Sequence, residues 1–507
     1  MARPTKKLIP YRKAYVLPAI ALWTVTSKTG AGVYASSDTL FKGAVFGRDS
    51  LEVAEDLLKT KPRLVRKILL SLASLQGQVS NDTNEEELGK IVHEYRNVVV
   101  DGKPIDKVQL SIFRQLSRKW GGNETEMAYY GSVDATPHFI KVLGAYCDAQ
   151  GPSILKAKVT QRDGTTTSMK IVLERATEWL TNHIAASRSG LVEYQRRNPH
   201  GIENQVWKDS NEAYVHENKQ LANHNAPIAS IEVQALAYDA FRVAASLLPD
   251  NAPQYLGYAG KLLDRTLELL WLEDCQYFAL GTDFDEQENL RVIKTATANP
   301  AALLDSEFFD DLPEAERQKY VTAIAKKIMS SDFLTDAGIR SRALSAAHLI
   351  DFWDYHGSFV SWPKETYDIA KGLRRQGFLE LARELENRLL NVILKSHEYP
   401  EFVYVDGTGR VLTKLPSEHT HGELIVVEAS NKPEKIQGWT VSAIVAIVSQ
   451  RMADKLRVGS SSKTAGWQRT AEKHILAHMQ RVNRLFNPTA LKARYPTYQY
   501  RLSNPKD

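Results

Sequence analysis

Apolar residues return every three or four positions through most of this chain, and that period commits it to a mainly helical fold. The runs are Ser50–Gln76, Thr136–Asp148, Ile171–Ala185, Ile228–Leu248, Tyr255–Trp271, Glu314–Met329, Tyr367–Gln376, Phe378–Ser396 and Val441–Ala453. A 3.6-residue period lines the apolar side chains along one helix face, which has to be buried against another element. Pro137 near the start of one run, Pro227 before another and Gly377 between two more act as boundaries. Strand signals are few. The segment after Leu191, Lys158–Met169 and Phe402–Leu412 read as short hairpins, the last two around Asp-Gly turns. No tetratricopeptide-like or ankyrin-like period is present.

Helices alternate with loops, and every second loop is rich in polar and aromatic residues. These are Phe46–Ser50, His93–Arg96, Tyr129–Pro137, Asn204–Ser210, Asp354–Pro363, Tyr399–Phe402 and Gln437–Trp439. An array of helical hairpins closed into a double ring brings such loops to one end, where a rigid scaffold presents them to a ligand. An open solenoid is the alternative, but it gives no reason to concentrate Trp and Asp in alternate loops.

Bulk properties narrow the class. With 507 residues and 43% hydrophobic content the chain can bury a large core. A net charge of +5, with basic and acidic residues interspersed, leaves no stripe for nucleic acid. Two cysteines, Cys147 and Cys275, in apolar helical contexts suit a reducing compartment. The apolar run after the basic N-terminus is short and broken by Pro18, so neither a membrane span nor a signal peptide is expected, and the reading is a cytoplasmic protein. The expected domain covers residues 1–457. The Ser-rich stretch Val458–Thr464 leads into a C-terminal extension, 458–507, with a helix over Trp467–Leu485 that packs on the same domain.

The segment Asn204-Gln205-Val206-Trp207-Lys208-Asp209-Ser210 concentrates the chemistry. Aromatic faces stack on the C–H faces of a pyranose, while amides and acids bracket its hydroxyls. An acid beside an indole is also suited to proton donation, since an apolar neighbour disfavours its charged form. A polar turn capping the next helix is the plainer reading of the same residues.

The order Phe46-Gly47-Arg48-Asp49, His93-Glu94-Tyr95-Arg96, Tyr130 to Pro137, Asn204 to Ser210, Ala226 to Gln234, Asn299-Pro300, Gly338-Ile339-Arg340-Ser341, Tyr355 to Pro363, Pro400-Glu401-Phe402 and Gln437-Gly438-Trp439 resembles the catalytic domain of the glycogen debranching (amylo-α-1,6-glucosidase) family. The resemblance runs from about Leu40 to about Val445. It implies an all-α fold, an (α/α)6 barrel with short β-hairpins in its loops, and hydrolysis of α-linked glucosyl residues with inversion. It also implies Asp209 as the general acid and Glu401 as the general base. Inversion asks for two carboxyls roughly 6.5–9.5 Å apart with water between them. Without that resemblance, Glu401 reads as a helix-terminal carboxylate beside Pro400.

Other residues take supporting roles. Arg48 and Asp49 suit a fork gripping sugar hydroxyls, or an ion pair that positions the first helix. His93, Glu94 and Arg96 read as pocket or supporting residues; with no second His at helical spacing, zinc is not expected. Asp134 lines the pocket or caps the helix near Pro137. Trp207 and Trp362 suit sugar platforms or core. Asn204 and Lys208 face substrate hydroxyls, with Glu232 orienting them, and His356, Gln437 and Trp439 complete the set. No cofactor or metal is implied, because two carboxyls and water suffice.

The chain also departs from the family. The family's β-rich domain is not expected ahead of Phe46, an expectation that counts against branched glycogen as substrate. Val206 stands where the family has Gly, residues are inserted between His356 and Trp362, and a long polar stretch, Asp406–Lys435 with His419, His421, Glu423 and Glu428, suits a lid or an exposed hairpin. The expected partner is an oligosaccharide or α-glucan, with no nucleic acid and no membrane. Two other readings remain open: a glucoamylase, trehalase or mannosylglycerate-hydrolase type of glycosidase on the same ring of helices, and a non-catalytic glucan-binding protein. A matched acid and base count against the latter.

Overall fold

The computed structural model describes residues 18–38, 40–350, 354–412, 420–421, 424–425, 432–456 and 466–485. Helix α1 covers residues 18–25. The others are α2 (Gly47–Leu57), α3 (Pro62–Ser74), α4 (Lys107–Trp120), α5 (Ala135–Gln150), α6 (Met169–Ala185), α7 (Ile231–Leu247), α8 (Ala252–Leu270), α9 (Glu314–Ile328), α10 (Pro363–Arg375), α11 (Leu379–Ser396), α12 (Gly438–Leu456) and α13 (Gly466–Leu485). The strands of the described residues are short and antiparallel, most of them in two-stranded hairpins, with one three-stranded and one four-stranded sheet. No helix among the described residues is long and apolar enough to cross a membrane.

Local chemistry sets the boundaries. Asp106 caps α4, its Oδ1 accepting from the Val108 and Gln109 amides at 3.0 and 2.9 Å, and Gly121 ends the helix at φ +72. Pro62 and Pro363 open α3 and α10, where a missing N–H costs nothing. The periodic run Ser50–Gln76 is two helices rather than one: Lys61 leaves helical geometry (φ −140, ψ 55) ahead of Pro62, as the residue before a proline must. Pro227 opens a strand, Ile228–Ser230, and the helix begins only at Ile231. The Asp-Gly hairpins form: Lys158–Thr160 pairs with Thr166–Ser168, and Val405 bridges Val411. His93–Arg96, expected as a loop, leads into the strand Glu94–Asn97, which pairs with both Val45–Phe46 and Glu126–Tyr129.

The chain divides into two compact units. The first comprises residues 1–209, 224–265 and 434–460. Its centre is α5, buried along most of its length and packed against α2, α3, α6 and α7. Gly144 permits the α5–α7 approach, since a Cβ there would lie 2.5 Å from Val243 Cγ2. Ile140, Leu143 and Phe139 on α5 are sealed from water, each such burial stabilising the unit by about 1.5–3 kcal/mol. The second unit comprises residues 210–223, 266–433 and 461–507. There α10 and α11 form a helical hairpin turned at Gly377 (φ +86), and the 3-10 segment Asn299–Asp305 packs on α10. Helix α13 packs on α9 and α11, with Gln468 Nε2 donating to Gln376 O at 2.7 Å. Much of the Asp406–Lys435 stretch, including His419, Glu423 and Glu428, lies outside the described residues. Its described part pairs Thr420–His421 with Leu424–Ile425.

Candidate functional site

In the first unit, three other pieces of chain reach the Arg48–Asp49 turn, at Asp134, Asp209 and Gln437. Helix α2 starts at Gly47, where a Cβ would sit 2.0 Å from Val92 O, so only glycine fits. That start places Arg48 and Asp49 in the first turn, both buried. Arg48 Nη1 donates to Asp134 Oδ2 at 2.7 Å, and Nη2 lies 3.9 Å from Asp209 Oδ2. Asp134 occupies the position before α5 but makes no capping hydrogen bond through its side chain; its Oδ2 is taken by Arg48. The Val133 amide donates to Gln205 O at 2.8 Å, which ties this turn to the loop carrying Asp209. Asp49 is held from the C-terminal side, Gln437 Nε2 donating to its Oδ1 at 3.0 Å. The sequence suggested a pairing between neighbours Arg48 and Asp49, yet their hydrogen-bonding partners are Asp134 and Gln437.

Electrostatics follow from one cation among three acids. Burial drives the Asp134 carboxyl upward, but the Arg48 ion pair outweighs it and holds the group below the usual carboxylate range. Burial pushes Asp49 up to about 7, against the pull of Arg48 and with a further push from Glu52. Burial, aided by the Arg48 charge, lowers His93 to about 3, so its ring is neutral at ordinary pH. The three carboxylates raise Arg48 above its ordinary value in spite of its burial. Arg48 Nε, His93 Nδ1 and Gln437 Oε1 are buried and have no hydrogen-bond partner among the described residues.

The aromatic and amide residues complete the unit. The Trp207 and Trp439 rings meet edge to face, centroids 5.8 Å apart at 86°. Asn204 is fully buried, its Oδ1 accepting from Tyr194 OH at 2.8 Å and 3.2 Å from His224 Nε2. Lys208 is almost fully buried, and Ser230 Oγ donates to Glu232 Oε2. Tyr129, stacked on Trp120 at 4.1 Å, accepts the Ile202 amide at 2.9 Å and steadies the approach to the Asn204–Asp209 loop. Strand alternation separates His93 from its neighbours. Glu94 and Arg96 share a face and pair with each other, and Arg96 Nη2 donates to Leu40 O at 3.1 Å. His93 instead packs edge-on against Phe46 and Tyr129.

In the second unit lie Glu401, His356 and Trp362. Glu401 is buried and directly precedes Phe402, whose ring packs on Trp362 at 4.9 Å. His356 stacks on Trp362 (5.0 Å, 18°), and Trp362 Nε1 donates to Tyr355 O at 2.7 Å. Ser210, next in sequence to Asp209, holds His356: Nδ1 lies 3.0 Å from Ser210 Oγ and accepts its amide at 3.4 Å. Two buried arginines that sequence reasoning left without a role, Arg340 and Arg342, support this loop. Arg342 Nη2 pairs with Asp354 Oδ2 at 2.5 Å and donates to Glu212 O at 3.0 Å. Arg340 stood within the Gly338–Ser341 element of the ordered series, directly after the short strand Gly338–Ile339, whereas Arg342 carried no such signal.

One group has metal-ligand geometry among the described residues: atoms of Glu52, Glu55 and His138 lie within 4.8 Å of one another. Internal pairing already accounts for it. His138 Nε2 is 3.1 Å from Glu55 Oε2, and Lys141 Nζ is 3.3 Å from Glu55 Oε1.

No protein-family model matches the chain, and no curated protein matches it. Solved structures do. A GH63 mannosylglycerate hydrolase from Thermus thermophilus, in complex with glucose, matches at a TM-score of 0.51 and 15% identity over 86% of this chain and 100% of that one. The same enzyme in complex with Tris and D-glycerate gives 0.52, again at 15% identity with 86% and 100% covered. A second glycosidase, solved as a point variant, gives 0.50 at 10% identity over 89% of this chain and 99% of that one. The fold is an (α/α)6 barrel with short β-hairpins. Likeness at these identities speaks to the fold and not to the substrate.

Proposed function

We propose that this chain is an inverting glycoside hydrolase that releases the terminal sugar of a small α-glycoside. The observation that carries the reading is one buried guanidinium, Arg48, bonded to Asp134 and near Asp209, with its neighbour Asp49 held by Gln437 and, in the same unit, the Trp207 and Trp439 rings packed edge to face. Buried polar atoms without partners, here on Arg48, His93 and Gln437, cost about 1–3 kcal/mol each unless a ligand satisfies them. A sugar offers hydroxyls that both donate and accept, and a C–H face for an indole.

Asp209 acts as general acid, passing its proton to the glycosidic oxygen as the bond to the anomeric carbon breaks. Glu401 acts as general base, taking a proton from the water that attacks the opposite face, so the released sugar has inverted configuration. Arg48 holds Asp209 in place through its second nitrogen.

Two substrate classes compete. The order of motifs favours an α-1,6-glucosidase of the debranching type. The second class is a glycoside with a compact acidic aglycone, the kind for which the mannosylglycerate hydrolase that shares this fold is named, and we adopt it as the one to test first. Proton NMR of the reaction with mannosylglycerate, glucosylglycerate, isomaltose, maltose and trehalose tests both. Turnover of the glycerate glycosides with initial release of the inverted anomer is expected. Preference for isomaltose would return the debranching reading, and retention of configuration would remove the assigned roles of Asp209 and Glu401.

A further inference from the structure

The second unit spends a buried charge where the proposed chemistry needs none. Arg340 is 1% exposed, yet among the described residues no carboxylate hydrogen-bonds it. Its Nη1 donates to Ser358 O at 2.6 Å and its Nη2 to Asp406 O at 2.7 Å, while Nε has no partner among the described residues. Burial lowers its pKa to about 10, with Asp406 and Asp332 offsetting only part of that, so the group is still charged at neutral pH. A buried cation satisfied by neutral carbonyls is poorly repaid in stability and is best explained by the geometry it imposes.

That geometry joins three stretches of chain. Arg340 forms an antiparallel bridge with Ser361, and the Ser341 and Arg342 amides donate to Val360 O and Gly357 O at 3.2 and 3.3 Å. Val360–Ser361 pairs in turn with Val403–Tyr404, and the Val405 amide donates to Phe359 O at 2.9 Å. The middle stretch carries His356 and Trp362, and the outer one follows directly from Glu401. From the first stretch the Arg340 guanidinium reaches the Ser358 carbonyl on the middle one and the Asp406 carbonyl on the outer one. We infer that Arg340 is a positioning residue: by clasping Ser358 and Asp406 it sets Glu401 relative to the His356–Trp362 stack. The link to Glu401 rests on the proposed role of that residue as base.

The test compares Arg340→Met and Arg340→Lys with the wild type, each alone and combined with Glu401→Gln. Met keeps the length and removes both donors; Lys keeps the charge but cannot span two carbonyls. Expected is a fall in kcat of about ten-fold or more with KM within about two-fold, measured well below the melting temperature. In the Glu401→Gln background the same substitution should change kcat by less than about two-fold, because its target is gone. An equal loss in both backgrounds, or unchanged kcat with a lower melting temperature, overturns the inference by making Arg340 a stability residue only. Should Arg340→Met not fold, Arg340→Lys is decisive by the same criteria. Should the wild type hydrolyse none of the glycosides, the functional reading fails separately, and hydrogen exchange decides the clasp. Faster exchange in peptides covering 357–361 and 402–406 upholds it, and unchanged exchange there removes it.

Discussion

Arg48 Nη1 and Asp134 Oδ2 lie 2.7 Å apart, 86 residues distant in sequence, with both side chains almost excluded from water. This bond ties the first turn of α2 to the start of α5. Removing one partner strands a buried charge, so Asp134→Ala should destabilise the protein by about 3–5 kcal/mol in urea unfolding. A loss below about 1 kcal/mol would mean that the pair is hydrated in solution.

Asp49 and His93 titrate in opposite senses. Asp49 has a folded value of about 7 against an ordinary 3.8, so between these the folded state holds the extra proton and stability falls as pH rises. Asp49→Asn should therefore raise the melting temperature relative to wild type above pH 7, with the advantage shrinking as pH drops toward 4. A pH-independent difference would show that Asp49 is ionised throughout.

For His93 the sign reverses. Its folded value of about 3 lies below the ordinary 6.5, so the unfolded state binds the proton in between and stability falls on acidification. The two slopes oppose each other between roughly pH 4 and 6.5, and wild-type stability should be nearly flat there as far as these groups decide it. His93→Asn should expose the Asp49 slope, seen as stability that rises on acidification across that window in melting curves.

Asp209→Asn and Glu401→Gln should each lower turnover by orders of magnitude while the melting temperature stays within a few degrees of wild type. A variant that keeps most of its activity loses its assigned role.

Gly47→Ala should destabilise by at least about 1–3 kcal/mol, since its Cβ would overlap Val92 O at 2.0 Å and backbone cannot give way as a side chain can. Circular dichroism melts would read this directly, and an unshifted transition would show that the α2 start rearranges freely.

The sequence alone determined the helical class, because a 3.6-residue period can be satisfied only by helices packed face to face. It also determined where polar chemistry collects, because Asn204–Asp209 and Gln437–Trp439 are local patterns that need no partner to be noticed. The break at Lys61-Pro62 went unread, because apolar periodicity runs straight through it. Tertiary structure decided the pairings. Arg48 chose Asp134 over its neighbour Asp49, and Asp49 took Gln437, 388 residues away. His93 parted from Glu94 and Arg96 because a strand turns successive side chains to opposite faces. Arg340 acquired its carbonyl partners only when three distant stretches paired. Such contacts depend on where the backbone brings side chains in space, and a buried charge takes whichever partner lies within reach and can replace its lost water.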